Sequence, residues 1–170
     1  MEKKMNMTTV DTPAGPFTIL ASDDNAVRAA GFTTDTAELL RLVHPSLRAE
    51  PRARPDLGSV TDAVRSYLDG DVAAIDEVTV EQHTGGAFLS HSWDTLRHVK
   101  PGQPVTYTQF AALAGRPSAI RAAATACARN AVALFVPCHR IIGTDGTLRG
   151  YRWGLDVKKW LLAHENTTDS

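Results

Sequence analysis

Val136-Pro137-Cys138-His139-Arg140-Ile141-Ile142-Gly143 joins an apolar run, Val132-Ala133-Leu134-Phe135, to a turn opened by proline. A thiol attacks only as its thiolate, and an imidazole beside it can take the proton directly or through a water. Burial alone raises the pKa of a thiol, so an active Cys138 needs such help. A third group that orients His139 would complete the set. The same adjacency also describes a small buried cysteine packed after a strand, with a surface histidine next to it.

Upstream of this stretch, residues 107–114 suit a short helix, Gly115-Arg116-Pro117 a tight turn, and residues 118–129 a second helix with Ser118 as its N-cap. Two helices joined by a three-residue turn containing glycine suggest a helix-turn-helix, although many core helix pairs share that spacing. Further upstream, Phe88, Trp93, Leu96 and Val99 suit one buried helix face that ends at Pro101-Gly102. Downstream, residues 157–163 suit a last short helix.

The first half reads differently. Thr8-Thr9-Val10, the turn signal Asp11-Thr12-Pro13-Ala14-Gly15-Pro16, and Phe17-Thr18-Ile19-Leu20-Ala21 predict a hairpin. Residues 26–32 add a third strand, and residues 36–43 have helical spacing. The proline-containing stretch 45–55 reads as a loop. Val60, Val64 and Leu68 place a helix over residues 58–68, stopped at Asp69-Gly70. Residues 75–80 read as a returning strand, and residues 82–86 as a linker.

Charge divides the chain in the same place. Through Ala87 there are 8 Lys/Arg against 14 Asp/Glu, whereas from Phe88 to Glu165 there are 10 against 4. The second half can meet a polyanion while the first stays clear, though two solvated surfaces can also differ by chance. The N-terminal residues 1–9 lack the apolar core of a secretion signal, and no apolar run approaches the ~20 residues that span a bilayer. A cytosolic protein is expected. Cys127 and Cys138 are the only cysteines, so a four-thiolate zinc site is excluded, and no Cys/His pair has convincing ligand spacing.

Asn130, the run from Val136 to Gly143, Gly150-Tyr151 and Glu165 together resemble the alkylguanine-DNA alkyltransferase family, also called methylated-DNA-protein-cysteine methyltransferases. The likeness runs from Tyr107 through Arg121 to Leu161-Leu162-Ala163-His164-Glu165. The first eighty residues resemble the family's variable N-terminal domain more loosely, through Thr12-Pro13-Ala14-Gly15-Pro16. Ala124, Ala131 and Arg152-Trp153-Gly154 depart from the commonest pattern, and in these the chain is similar to the C-terminal domain of bacterial adaptive-response proteins.

The resemblance implies an α+β fold. A small N-terminal domain with an antiparallel sheet and helix, residues 1–84, supports a mostly helical domain with a helix-turn-helix, residues 85–170. It implies direct-reversal DNA repair, in which Cys138 irreversibly takes the alkyl group from O6-alkylguanine, with O4-alkylthymine as a further candidate. His139 passes the thiol proton, through a water, toward Glu165. Tyr107 protonates N3 of the departing base, and Asn130 ties the end of the second helix to the acceptor turn.

A thiol cannot reach a base inside a duplex, so the nucleotide must be flipped out. The resemblance places Arg121, Ala122, Ala123, Ala124 and Thr125 in the minor groove of double-stranded DNA, with Arg121 filling the gap left by the base. It places Tyr151, Arg152, Trp153, Ile141 and Cys127 around the substrate, Trp153 narrowing the pocket against bulky groups. No cofactor, metal or membrane is implied, and a monomer in the cytoplasm, nucleoid-associated in a bacterium, is expected. Three readings compete on the same residues: a damage-flagging protein with no acceptor, a cysteine hydrolase that turns over, and a purely structural DNA-binding module.

Overall fold

The computed structural model describes residues 4–83 and 86–167 and divides into two compact units. The first unit holds the described residues through His83 together with Ala131–Phe135, and the second holds residues 86–130 and those from Val136 onward. The chain therefore leaves the second unit after Asn130, adds five residues to the first, and returns at Val136.

In the first unit, β1 (Met5–Thr12) and β2 (Gly15–Ser22) form the hairpin, with Thr12 opposite Gly15, and β3 (Val27–Gly31) pairs antiparallel with β2. The turn is tighter than the sequence signal suggests because Gly15 has a φ of 117°, which costs a residue without Cβ little. The sheet order is β3-β2-β1-β4. The stretch expected to be loop supplies β4 (Pro51–Ala53), which runs parallel to β1, so the sheet is mixed rather than purely antiparallel. Three residues carry too little periodicity to announce a strand.

Two helices cover the sheet's unit. Asp35 caps α1 (Thr36–Leu42) by accepting from the Glu38 backbone N–H, and α2 (Ser59–Leu68) buries Val60, Val64 and Tyr67. Residues 75–80 are not a strand. Ala74–Glu77 form a 3-10 turn, and Val80 keeps only a lone parallel bridge to Val27. The segment Ala131–Phe135 extends this edge: Ala30 and Ala131–Ala133 exchange backbone bonds of 2.9 and 3.0 Å, and Phe135 joins the ring cluster of Phe17 and Phe32. Leu134, buried with a φ of 73°, sits at the centre of a γ-turn closed by Phe135 N–H on the Ala133 carbonyl, so the strand-like run bends instead of extending.

The second unit contains α3 (Ala87–Leu96), α4 (Tyr107–Leu113), α5 (Ile120–Ala128) and α6 (Leu155–Thr167). Trp93 donates its indole N–H to the Ala126 carbonyl at 2.9 Å and ties α3 to α5. Ser92 beside it is buried with its hydroxyl unpartnered among the described residues, and nothing in the structure explains that choice. A parallel pair, β5 (Val105–Thr106) with β6 (Ile141–Ile142), was not legible in the sequence because each strand has two residues. It sets the start of α4 beside the end of the Cys138 turn.

Thr106 and Gln109 form a reciprocal capping box on α4. Ser118 does not cap α5: the N-cap is Ala119, without a side-chain bond. The tight turn before it brings Gly115 to a φ of 89°. Thr106→Ala is expected to cost about 1 kcal/mol of stability, as loss of a working cap does. Ser118→Ala should stay within about 0.5 kcal/mol of the parent, and urea unfolding of both variants checks the contrast.

Candidate active site

Cys138 opens a 3-10 turn, Cys138–Arg140, and Pro137 ahead of it has φ −82° and ψ 64°. Those are the angles of an inverse γ-turn, and the Cys138 N–H closes it on the Val136 carbonyl at 2.8 Å. Proline's fixed φ suits that shape and holds the thiol at the start of the turn rather than inside a strand. Asn130, buried two residues past the end of α5, donates its amide to the Val136 carbonyl at 2.8 Å and approaches the Cys138 sulfur at 3.4 Å. One side chain thus braces both the turn and the thiol.

His139 and Arg140 follow in the turn, both buried, and both meet Glu165 of α6. Arg140 grips the carboxylate with two donors, Nε to Oε1 at 2.9 Å and Nη2 to Oε2 at 3.0 Å, and gives Nη1 to the Val99 carbonyl at 2.7 Å. His139 Nε2 lies 2.8 Å from Glu165 Oε2. An ionised carboxylate only accepts, so Nε2 carries the proton and, in the neutral ring, Nδ1 is the basic nitrogen. Nδ1 is buried with no partner among the described residues.

Burial would raise the Glu165 carboxyl, but His139 and Arg140 outweigh it and hold the group well below the carboxylate range. Burial pushes the His139 imidazole down, against the opposing pull of Glu165. The Cys138 thiol is pushed up by burial, and the Asn130 amide and the Lys158 ammonium pull it the other way. The site therefore sets the Cys138 thiol next in the turn to an imidazole whose Nε2 is held on a carboxylate.

Tyr107, first residue of α4, is raised to about 12 by burial and by the neighbouring Cys127 and Cys138 sulfurs, so it holds its proton. Burial likewise raises Tyr151, next to Cys138 and Glu165, and its hydroxyl has no partner among the described residues. Cys127 is a free thiol, half-buried on α5, and burial raises it too. Ile141 is fully buried in the β5/β6 pair. Arg152 is exposed and donates to the Ala128 carbonyl at the end of α5 at 2.8 Å, with Trp153 half-buried beside it.

The model of the 6-O-methylguanine DNA methyltransferase DNA-binding domain matches residues 87–167. A methylated-DNA–protein-cysteine methyltransferase of Shigella flexneri is 36% identical over 160 residues, which cover 92% of each chain. The chain belongs to the methylated-DNA–protein-cysteine methyltransferase family. The bifunctional transcriptional activator/DNA repair enzyme Ada of Escherichia coli is 48% identical over 150 residues, 86% of this chain and 42% of that protein. The Mycobacterium tuberculosis OGT structure in complex with DNA matches with a TM-score of 0.77 at 27% identity, covering 96% of this chain and 94% of that one.

Family membership directs attention to α5. Its outer face carries exposed Arg121 and Thr125, with Ala122 and Ala124 half-buried at its margins. Ala123 is fully buried with Ala126, so of the five residues expected to meet DNA it alone presents no surface. Helical spacing separates the two sets: 121 and 125 share one face, 123 and 126 the other. One buried group beside the acceptor turn escaped sequence reasoning. Lys158 of α6 donates to the carbonyls of Ile141 at 2.7 Å, Leu148 at 2.5 Å and Gly150 at 3.5 Å. In sequence it is an ordinary helix lysine beside Lys159, and no motif marks it. Among the described residues no three His, Cys, Asp or Glu side chains gather as a metal site, and no helix is long and apolar enough to cross a membrane.

Stability should follow the Glu165 triad. Ionisation of a carboxyl held below its ordinary 4.5 stabilises the fold above that value, and this is lost as pH falls from there toward the lowered folded value. His139, held below its ordinary 6.5, acts in the same direction, because below that value the unfolded chain binds the proton first. Glu165→Gln leaves Arg140 buried without a counter-charge and is expected to cost about 3 kcal/mol at neutral pH. It should also flatten the acid loss below pH 4.5, followed by urea unfolding from neutral to acid pH.

Proposed function

We propose that this protein repairs O6-alkylguanine in double-stranded DNA by moving the alkyl group onto Cys138, once per molecule. The observation that carries the reading is the Cys138 turn itself. A half-buried thiol is followed by an imidazole whose Nε2 is held on Glu165 at 2.8 Å, which leaves Nδ1 as its basic nitrogen.

The thiol proton passes to His139, through a water, and the imidazolium that forms is stabilised by Glu165. The sulfur lone pair then forms the S–C bond to the alkyl carbon while the C–O6 bond breaks, its electron pair moving into the purine. Tyr107 gives its hydroxyl proton to N3 as charge develops there, and the proton lost by the thiol restores the phenol. Alkylguanine plus thiol becomes guanine plus thioether. Nothing in the site would hydrolyse a thioether, so the reaction ends at one equivalent, and no cofactor or metal enters it.

For DNA, the proposal puts the exposed face of α5 in the minor groove, with the small Ala122 and Ala124 allowing close approach and Arg121 entering the stack where the base has left. Such contacts read backbone and shape more than sequence. Tyr151, Arg152, Trp153, Ile141 and Cys127 surround the flipped base, with Ile141 acting from behind through its packing. The second unit carries DNA and acceptor, the first supports it, and the protein works as a monomer in the cytoplasm, at the nucleoid in a bacterial cell. A cysteine at position 138 speaks against a damage-flagging protein with no acceptor.

Intact-protein mass after incubation with a duplex carrying one O6-methylguanine tests the central claim. One methyl group should appear on Cys138, stop at one per molecule, and be absent from Cys138→Ser. Release of product beyond one equivalent would instead identify a hydrolase. Arg121→Ala should slow repair of the duplex about tenfold or more while sparing reaction with the free modified base. Equal losses on both substrates would remove Arg121 from the base-flipping role.

A further inference from the structure

Arg149 adopts a φ of 61°, in the left-handed region that residues with a Cβ seldom enter, immediately before Gly150-Tyr151. Outliers of that kind persist where the surrounding chain holds them, and they gather at functional sites. The side chain has a seat. It lies against buried Gly143, where an added Cβ would meet Arg149 Nε at 2.6 Å and its Cγ at 2.9 Å. Glycine at 143 leaves the room that the arginine fills.

Two contacts fix where that seat is. The hydroxyls of Thr144 and Thr108 share a hydrogen bond of 2.9 Å, and Thr106 and Ile142 are partners in the β5/β6 pair. Both tie the 143–149 loop to the residues that flank Tyr107 in sequence at the start of α4. Tyr107 accordingly feels Arg149 from the loop as well as Cys127 from α5. The guanidinium is exposed, and its ion-pair partner, Asp145 at 3.2 Å, is exposed as well. Asp145 is held through its other oxygen by the Thr147 backbone N–H at 3.1 Å and the Thr147 hydroxyl at 2.8 Å. One solvated contact of this kind is worth little, so Arg149 is held ready rather than engaged.

We propose that Arg149 is a further DNA-binding residue: on DNA it leaves Asp145 and takes a phosphate oxygen of the nucleotide turned out toward Tyr107. The proposal rests on the reading that Tyr107 receives the flipped base. A flipped nucleotide stays tied to its own phosphates, so a base at Tyr107 brings backbone charge to the surface around the start of α4. A guanidinium suits a phosphate better than an ammonium does, because its planar fork offers two parallel donors. The Gly143 seat and the left-handed backbone at 149 restrict the arginine beforehand, which reduces the side-chain freedom lost on binding. Arg121 of α5 then fills the gap in the stack while Arg149 holds the backbone of the nucleotide that left it.

The test is the salt dependence of binding to a duplex carrying one O6-methylguanine, followed by fluorescence anisotropy. Cys138→Ser serves as the parent, so that binding is not followed by transfer. Each phosphate held by a cation contributes close to one to the slope of log affinity against log salt. Arg149→Gly suits the positive φ and so spares the fold. It should lower the slope by about one and weaken binding several-fold at about 0.1 M salt. Arg149→Lys, which keeps the charge, should keep the slope. Asp145→Asn retains the oxygen that Thr147 holds but frees the guanidinium, and it should tighten binding about twofold.

An unchanged slope in Arg149→Gly would overturn the phosphate contact, and so would a slope lost equally in Arg149→Lys. Binding by Asp145→Asn that is unchanged or weaker would overturn the exchange of partners. All of these outcomes are read on binding, so they are distinct from a failure of Cys138 to take up methyl. No duplex binding by the parent would strike the flipped-base reading, and the proposal with it.

Discussion

The Glu165 carboxylate, shared between Arg140 and His139, is the interaction on which the site depends. Two consecutive residues of the acceptor turn converge on one group of α6, so the turn has little freedom once that helix is in place. Either charge alone, buried without the other, would cost several kcal/mol. Together they cancel, and Glu165 still has an oxygen to orient the imidazole. Arg140 uses its remaining donor on the Val99 carbonyl, which extends the same brace to the chain following α3.

Around that brace the site resolves a conflict between shelter and reactivity. Burial shelters the Cys138 thiol from reacting at large, yet it also suppresses ionisation. The opposing influences include the Asn130 amide at 3.4 Å, the Lys158 ammonium and the Arg152 guanidinium.

Helix α5 shows the same economy on its outer side. Ala123 and Ala126 pack inward and bring the helix close to its neighbours, with Trp93 fastened to the Ala126 carbonyl. The residues left outside include Ile120, Arg121, Thr125 and Ala128, with Ala122 and Ala124 half-buried, a low surface with one long cation. Such a face can approach a groove without steric cost, and it lies in the half of the chain that carries the positive excess.

The sequence by itself determined the family, the candidate acceptor thiol with its neighbouring imidazole, and most helices. Those features are local: Pro137-Cys138-His139-Arg140 is contiguous, and amphipathic periodicity writes a helix into ten residues. Three kinds of feature needed the folded chain. Strands of two or three residues, β4, β5 and β6, have no period to read and exist only because a partner is alongside. The apolar run from Val132 to Phe135 reads as strand-like on the way to Cys138, yet a positive φ at Leu134 bends it, and that conformation is held by tertiary packing rather than by leucine's own preference. Lys158 and Ala123 took their places from burial alone. A lysine reads as solvated and an alanine on a helix expected to meet DNA as exposed until the surrounding chain, distant in sequence, decides which side of each helix meets water.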